Sequence, residues 1–215
     1  MEFAVFTFNP FQENTYVVWD DTKNCVLIDP GSYYPSEIEE ITRFIDDNGL
    51  HPHGVLNTHC HLDHVFGVQH FKSLYQIPFV CHLQERANLD RLEFQAGMFG
   101  IRLKYPCPEP DVLLGAESQY QFGNTVLRLL FVPGHSPGHL AFYHQPSGVL
   151  LGGDVLFREW IGRTDLPGSS QPALVQSIQE VLYALPGETR VLPGHMGETT
   201  IGHEKRHNPY VRAKT

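Results

Sequence analysis

Apolar positions along the chain follow two periods, and the change from one to the other outlines the elements. Phe3 to Phe8, Thr15 to Trp19 and Cys25 to Ile28 are short alternating or apolar runs closed by Asp29-Pro30-Gly31, which predicts three strands. Ser36 and Glu39 have the spacing of a capping box, and Ile38, Ile41 and Ile45 then recur at helical intervals as far as Asn48-Gly49. A strand is predicted at Gly54 to Thr58, running directly into His59. Val65, Val68, Phe71 and Leu74 predict a helix that Pro78 ends, and Phe79 to Cys81 a short strand. A weaker helical stretch covers Gln84 to Gly97, and Pro106-Cys107-Pro108-Glu109-Pro110 reads as a connector.

The second half repeats this order. Strands fit Thr125 to Val132, Leu140 to His144 and Val149 to Gly152. Leu174, Ile178, Val181, Leu182 and Leu185 share one helical face that Pro186-Gly187 closes, and a strand at Thr189 to Leu192 leads to His195. No internal boundary or low-complexity segment interrupts the pattern. The expectation is one domain over 1–215, of α/β class with two sheets covered by helices.

Composition narrows the function. The formal charge of −9, with no basic block longer than Lys205-Arg206, argues against a nucleic-acid partner. No apolar run approaches the ~20 residues that span a bilayer, so no membrane partner is expected. The opening MEFAVFTFNP has no secretory pattern, so the chain is expected to be cytoplasmic, or to have already lost a signal. Cys25, Cys60, Cys81 and Cys107 are scattered and read as thiols of a reducing compartment.

Histidine is over-represented, at 13 residues against 15 Lys and Arg together. His59, His61, Asp63 and His64 fall within six residues at a strand end. His59 and His61, two apart, can face the same way, and Asp63 and His64 follow on a turn. Such groups are costly to bury unpaired, and a cation satisfies them together. Three further strand ends each deliver a ligand-type residue next to glycine: Gly134-His135, Gly153-Asp154 and Gly194-His195. Imidazole and carboxylate without thiolate suit zinc, iron or manganese.

The order HxHxDH, PGHxPGH, GGD and GH resembles the signature of the metallo-β-lactamase superfamily over nearly the whole chain. The resemblance implies a four-layer αββα sandwich with a dinuclear site at one edge. His59, His61 and His135 would hold one metal, Asp63, His64 and His195 a second, and Asp154 would bridge both with a water or hydroxide that attacks a carbonyl. Asp63 and Asp154 would thus also be the catalytic residues, Asp63 orienting the hydroxide.

Alternation turns Cys60 away from its neighbours, so it is read as a non-ligand. His139 is read as a support for the site or a strand start, and Asp29 as either an acceptor for a liganding imidazole or a turn cap. His51, His53, His70, His82, His144, His203 and His207 share no spacing with the motifs. Tyr105, Phe94, Met98 and Phe99 could line a pocket or lid, but are read first as core.

Within the superfamily, Gly162-Arg163-Thr164-Asp165-Leu166-Pro167 resembles the GRTDLP segment of glyoxalase II-like hydrolases. The segment from Gly194-His195 through Thr199-Thr200-Ile201-Gly202 to Asn208-Pro209, and the opening Gln12-Glu13-Asn14-Thr15-Tyr16, are similar to the same group. This implies a thioesterase acting on S-acyl glutathione or a related small-molecule thioester, with two divalent metals, zinc first. Arg163 is either a cation for a substrate carboxylate or a structural partner of Asp165. Full-length glyoxalase II enzymes add a C-terminal helical domain that contacts glutathione, whereas this sequence stops at Thr215, so weak binding of S-lactoylglutathione is expected. The alternative is persulfide dioxygenase, an oxidoreductase with one iron on the equivalents of His59, His135 and Asp154. β-Lactamase activity is not expected, because those zinc enzymes commonly place cysteine where Asp154 stands.

Seven ligand-type residues are too many for one ion of coordination four to six, so elemental analysis of metal-supplemented protein is expected to find two metals per chain. A content of one or less would count against a dinuclear centre.

Overall fold

Alternate residues of the strands go to different cores, and this separates the molecule into layers. In β2 (Glu13–Trp19), Val17 joins a cluster with the helices, while Tyr16 and Val18 face the other way. In β3 (Asn24–Ile28), Cys25 and Leu27 follow Val17, and Val26 and Ile28 follow Tyr16. The second half mirrors this: in β9 (Leu140–His144), Phe142 faces the strands of the first half, and Ala141 and Tyr143 face outward. The structure, a computed structural model, describes residues 1–115 and 119–213; residues 116–118, 214 and 215, part of the expected 1–215 domain, lie outside the described residues.

Six strands of the first half form one sheet, in the order β1 (Glu2–Phe8), β2, β3, β4 (His51–Leu56), β5 (Phe79–His82) and β6 (Val112–Leu114). The second sheet has the order β14 (Thr199–Thr200), β13 (Arg190–Pro193), β10 (Val149–Gly153), β9, β8 (Thr125–Phe131) and β7 (Gln119–Phe122). β3 to β6 run parallel, as do β10 and β13, and the other pairs are antiparallel. Between the sheets lie Ile28, Leu56, Val80, Leu127, Phe142, Leu151 and Leu192. Outside the first sheet pack α1 (Pro35–Asp47) through Ile38, Ile41 and Ile45, and α2 (Val68–Tyr75) through Val68 and Phe71. Outside the second pack α5 (Gln171–Gln176) through Leu174, its π-helical continuation Ser177–Leu182, and α6 (Ile201–His207) through Ile201. This is the αββα sandwich expected from the sequence.

Several elements depart from the sequence reading. The Ser36/Glu39 capping box does not form: Pro35 opens α1, Tyr34 is its N-cap, and the Glu37 carboxylate accepts from the N–H groups of Tyr33 and Tyr34 at 2.7 and 2.9 Å. A third donor, Asn9 N–H at 2.8 Å, ties that helix start to the end of β1. The stretch 84–97 divides into α3 (Arg86–Leu89) and α4 (Leu92–Met98), because Arg91 leaves helical geometry with φ −106° and ψ 9°. β4 stops at Leu56 rather than Thr58: the Asn57 side chain turns to His64 O in the loop beyond, and Thr58 N–H donates to the Asp29 carboxylate just after β3. No helix among the described residues is long and apolar enough to cross a membrane.

β4, β10 and β13 end at the same edge of the sandwich. The β8–β9 connection reaches that edge as well, because Phe131 pairs with Leu140 at the end where β9 meets β10's finish. Two backbone bonds join the sheets there, Leu140 N–H to Thr58 O at 2.8 Å and Asn14 N–H to Gly194 O at 2.7 Å. All four histidine- and aspartate-bearing segments therefore converge on one rim.

Candidate metal centre

The loop after β4 carries four of the seven predicted ligands, and its shape is held by side chains. Asn57 Nδ2 donates to His64 O at 2.8 Å and folds the loop back on itself. Asn9 Nδ2 donates to Asp63 O at 3.0 Å from the neighbouring strand end. Leu62–His64 then forms a single 3-10 turn, so Asp63 and His64 face the same rim as His59 and His61. His195 follows β13 through Gly194, where a Cβ would lie 2.3 Å from Asp154 Oδ1 and 2.7 Å from His64 Cε1. Only glycine permits that approach.

The seven residues meet in two groups. One ligand atom each from His59, His61 and His135 lies within 4.8 Å of the others, and the same holds for Asp63, His64 and His195. His61 Nδ1 and His135 Nε2 are 2.9 Å apart. Asp154 stands between the groups: its Oδ2 is 3.6 Å from both His135 Nε2 and His64 Nε2, and its Oδ1 is 3.1 Å from His195 Nδ1. Asp63 Oδ2 lies 3.1 Å from His195 Nε2.

Outer partners set which nitrogen each ring presents. Thr58 Oγ1 donates to Asp29 Oδ2 at 2.6 Å, so at 3.0 Å it accepts from His59 Nδ1. His64 Nδ1 is 3.2 Å from the same Asp29 oxygen, and His135 Nδ1 donates to Arg163 O at 2.9 Å. His59 and His135 are thereby left with an unprotonated Nε2 aimed inward. His59 Nε2 and His64 Nε2 are buried and have no hydrogen-bond partner among the described residues. One unsatisfied buried imidazole nitrogen in each group of a histidine–carboxylate cluster fits divalent cations, which would take up His59 Nε2 in one group and, once its proton has left, His64 Nε2 in the other.

Charge separates the two groups. Burial, reinforced by neighbouring imidazoles, holds His59 well below the ordinary imidazole range and takes His61 down to about 3. Burial also lowers His135. It would do the same to His64 and His195, but the carboxylates Asp63 and Asp154 outweigh it, raising His64 well above the usual value and His195 to about 9. Conversely, burial would raise Asp154, yet His195 and His64 hold it well below the carboxylate range.

Residues outside the motifs complete the centre. Asp29 accepts from Thr58 N–H at 2.7 Å as well as from Thr58 Oγ1, so it acts as the acceptor that orients His59 and His64. His139 Nε2 accepts from Asp154 N–H at 3.0 Å and stacks on His59 with ring centroids 4.8 Å apart, which makes it a support. Cys60 points into the core beyond the first sheet, away from the ligands. The sequence reading did not single out Glu85. Fully buried, it accepts from Cys60 N–H and Gly138 N–H, both at 2.7 Å, from Asn88 Nδ2 at 2.8 Å, and from Ser136 Oγ. One carboxylate thereby braces both ligand loops, and no spacing along the sequence marks it.

The family-like segments act mainly through backbone. Asn14 Nδ2 donates to Pro193 O at 3.0 Å and Met196 O at 2.8 Å, and Tyr16 Oη to Pro193 O at 2.8 Å, fixing the His195 loop. Arg163 places its carbonyl under His135 while its guanidinium holds Asp165 at 2.6 and 2.7 Å, the structural alternative raised by the sequence. Buried Glu204 accepts from Asn208 Nδ2 and Glu159 N–H, both at 2.9 Å, anchoring the hairpin β11 (Leu156–Phe157) and β12 (Trp160–Ile161) that precedes Arg163.

Beside the two groups opens a cavity of about 730 Å³. His61, Asp63, His135, Asp154 and His195 reach its floor, and both Arg91 and Arg163 line it. Phe94, Met98 and Phe99, read from sequence as core, line this cavity instead and are 63%, 53% and 49% exposed. Their helix buries Leu92 and Ala96 on its other face, which helical spacing in an apolar stretch does not distinguish. Tyr105 alone of that set packs against the core.

Two outcomes follow. Glu85→Gln keeps the shape but turns an N–H donor toward donors in the ligand loops; metal affinity, measured by chelator competition, is expected to fall by about 10–100-fold. Metal entry at Asp63, His64 and His195 requires neutral imidazoles, and the raised His195 value of about 9 means its proton is still held at neutral pH. Affinity should therefore rise with pH, by about tenfold per unit for each displaced proton, and the part due to His195 should end above about pH 9. Calorimetry in buffers of different ionisation enthalpy should detect the released protons; none released at pH 7 would refute the charged pair.

Residues 8–195 match the family model described as the Metallo-beta-lactamase superfamily. The chain is 33% identical to the hydroxyacylglutathione hydrolase GloC of Haemophilus influenzae, over the whole of both chains. It is 34% identical to a probable metallo-hydrolase, YqgX, of Bacillus subtilis, covering 94% of this chain and 93% of the other. Among solved structures, BLEG-1 B3 metallo-beta-lactamase superposes with a TM-score of 0.90 at 35% identity, over 98% and 99% of the two chains. TTHA1623 in a di-iron-bound form gives 0.85 at 36%, over 97% and 100%. Fold, rim geometry and these likenesses agree: the chain belongs to the metallo-β-lactamase superfamily.

Proposed function

We propose that the protein is a dinuclear metal-dependent thioesterase acting on S-acyl glutathione or related thioesters. The observation that carries this reading is the pair of ligand groups, each complete, meeting at Asp154 on the floor of one cavity. His59, His61 and His135 would hold one ion, Asp63, His64 and His195 the other, with Asp154 shared. Two divalent ions there would supply a water of lowered pKa and a clamp for the carbonyl oxygen that gains charge. The donor set suits zinc first, with iron or manganese accepted by the same ligands.

The protein's own part is orientation. Asp29, Arg163 O and Glu85 fix the rings and loops before substrate arrives, which removes reorganisation from the reaction. Asp63 reaches the cavity with 16% of its side chain exposed, placed to hold the proton of an attacking water at its carboxylate. The thioester reading draws on the GRTDLP-like segment and on the relative named a hydroxyacylglutathione hydrolase. The four unpaired cysteines and the charge of −9 support a cytoplasmic setting and a small-molecule partner rather than a nucleic acid.

A mononuclear iron dioxygenase would need only His59, His135 and Asp154, and would leave the second group without a task. In the zinc-loaded protein, thiol release from S-D-lactoylglutathione is expected, with background oxygen uptake on glutathione persulfide. His64→Ala or His195→Ala should lose one metal and slow thiol release by about 10²–10³-fold. Silence toward every glutathione and coenzyme A thioester, with turnover of a β-lactam instead, would sink the thioesterase assignment. One iron and full oxygen uptake in His195→Ala would favour the dioxygenase.

A further inference from the structure

The cavity beside the metal ligands has a size that encloses a small molecule, but its walls do not suit a small hydroxyacyl group. Among the described residues, the four most exposed large apolar side chains are Phe94 at 63%, Met196 at 58%, Met98 at 53% and Trp160 at 52%, and all four line this cavity. Apolar side chains exposed singly need no explanation, whereas a concentration on one concave surface marks a binding site. They come from three separate segments, α4, the loop after His195 and β12, so no single amphipathic stretch accounts for them. Phe94 and Met98 stand four apart on α4 and therefore on one face, while Leu92 and Ala96 anchor the helix to the core from the other.

The cations differ in availability. Arg163 is occupied by Asp165. Arg91, at the start of α4, lines the same cavity and makes no ion pair among the described residues.

We propose that the cavity selects thioesters with a bulky apolar acyl chain or ring, laid against Phe94 and Met98, with Arg91 pairing with an anionic group of the substrate. This rests on the thioesterase reading of the metal centre. A lactoyl group, with a hydroxyl and one methyl, would leave this wall exposed to water. A longer chain would cover it, each buried methylene strengthening binding by up to about fourfold.

Binding without turnover tests this directly. S-hexylglutathione and S-methylglutathione are thioethers with no carbonyl to cleave, and calorimetry on the zinc-loaded protein measures both. S-hexylglutathione is expected to bind at least about 30-fold more tightly. The doubly substituted Phe94→Ala, Met98→Ala protein should lose at least tenfold of that gain and keep its affinity for the methyl ligand within about twofold. A Phe94→Gln, Met98→Gln pair keeps more side-chain bulk than alanine while removing its apolar character, and should behave the same way. Arg91→Ala should weaken both ligands by a similar factor, about tenfold. Equal affinity for the two thioethers, or a chain-length gain that survives both double substitutions, would overturn the proposal. Graded thioether binding without thiol release from any thioester would end the thioesterase reading and leave the apolar subsite standing. Thiol release from lactoylglutathione with no chain-length dependence of binding would do the reverse.

Discussion

His59 and His64 each bury a ring nitrogen that no hydrogen bond among the described residues satisfies, one in each ligand group. An unmet buried polar group costs about 1–3 kcal/mol, and here two of them lie among carboxylates and further imidazoles at a junction between two sheets. Such an arrangement survives only if the surrounding fold holds it, and it is relieved when a cation enters. Much of the rim can be understood as that hold. Asp29 takes His64 and the Thr58 hydroxyl that fixes His59, Arg163 offers a carbonyl to His135, and His139 receives the Asp154 N–H. Gly194 is bare because Asp154 and His64 occupy the space a side chain would need.

The same constraint explains why conspicuous motifs do indirect work. The arginine of the GRTDLP-like segment is spent on Asp165, and its contribution to the centre is a backbone oxygen. Asn14 and Tyr16 of the opening motif grip the carbonyls around His195 from the opposite sheet. Glu204 and Asn208 fasten the hairpin that leads to Arg163. Rings 74 residues apart in sequence, His61 and His135, can then stand 2.9 Å from one another. Glu85 reaches both of their loops at once, a task for one buried carboxylate because it can accept several N–H and O–H donors.

Polar floor and apolar wall divide the labour of the cavity. The floor is defined by ligands whose charges are set by one another, with His195 protonated through Asp154 and Asp63 and His61 kept neutral by burial. The wall comes from α4, β12 and the His195 loop, and contributes area rather than charge. Floor and wall are thus built by different elements, so the chemistry at the floor and the shape of the substrate group against the wall can vary independently.

The two-period pattern and the strand ends that carry histidine and aspartate were legible in the sequence, because each depends on local spacing, whereas the four-layer αββα order and the division of the ligands into two groups were implied only by the family resemblance. Period-two alternation assigns Val17 and Val18 to different cores whatever the partners are, and a histidine next to glycine at a strand end must leave the sheet. The start of α1 was not legible, since Glu37 is recruited by Asn9 and Tyr33 as well as by the adjacent Tyr34. Nor was the role of Phe94 and Met98: an apolar helix face looks the same in sequence whether it meets the core or a cavity, and only the packing of Leu92 and Ala96 on the other side decides it. Glu85 carried no local signature at all, because its donors come from residues 25 to 53 positions away and Asn88 alone is near. Spacing along the chain determined which groups would be offered to the rim. Which of them touch, which keep a proton and which face the substrate were decided by contacts between segments that the chain brings together only on folding.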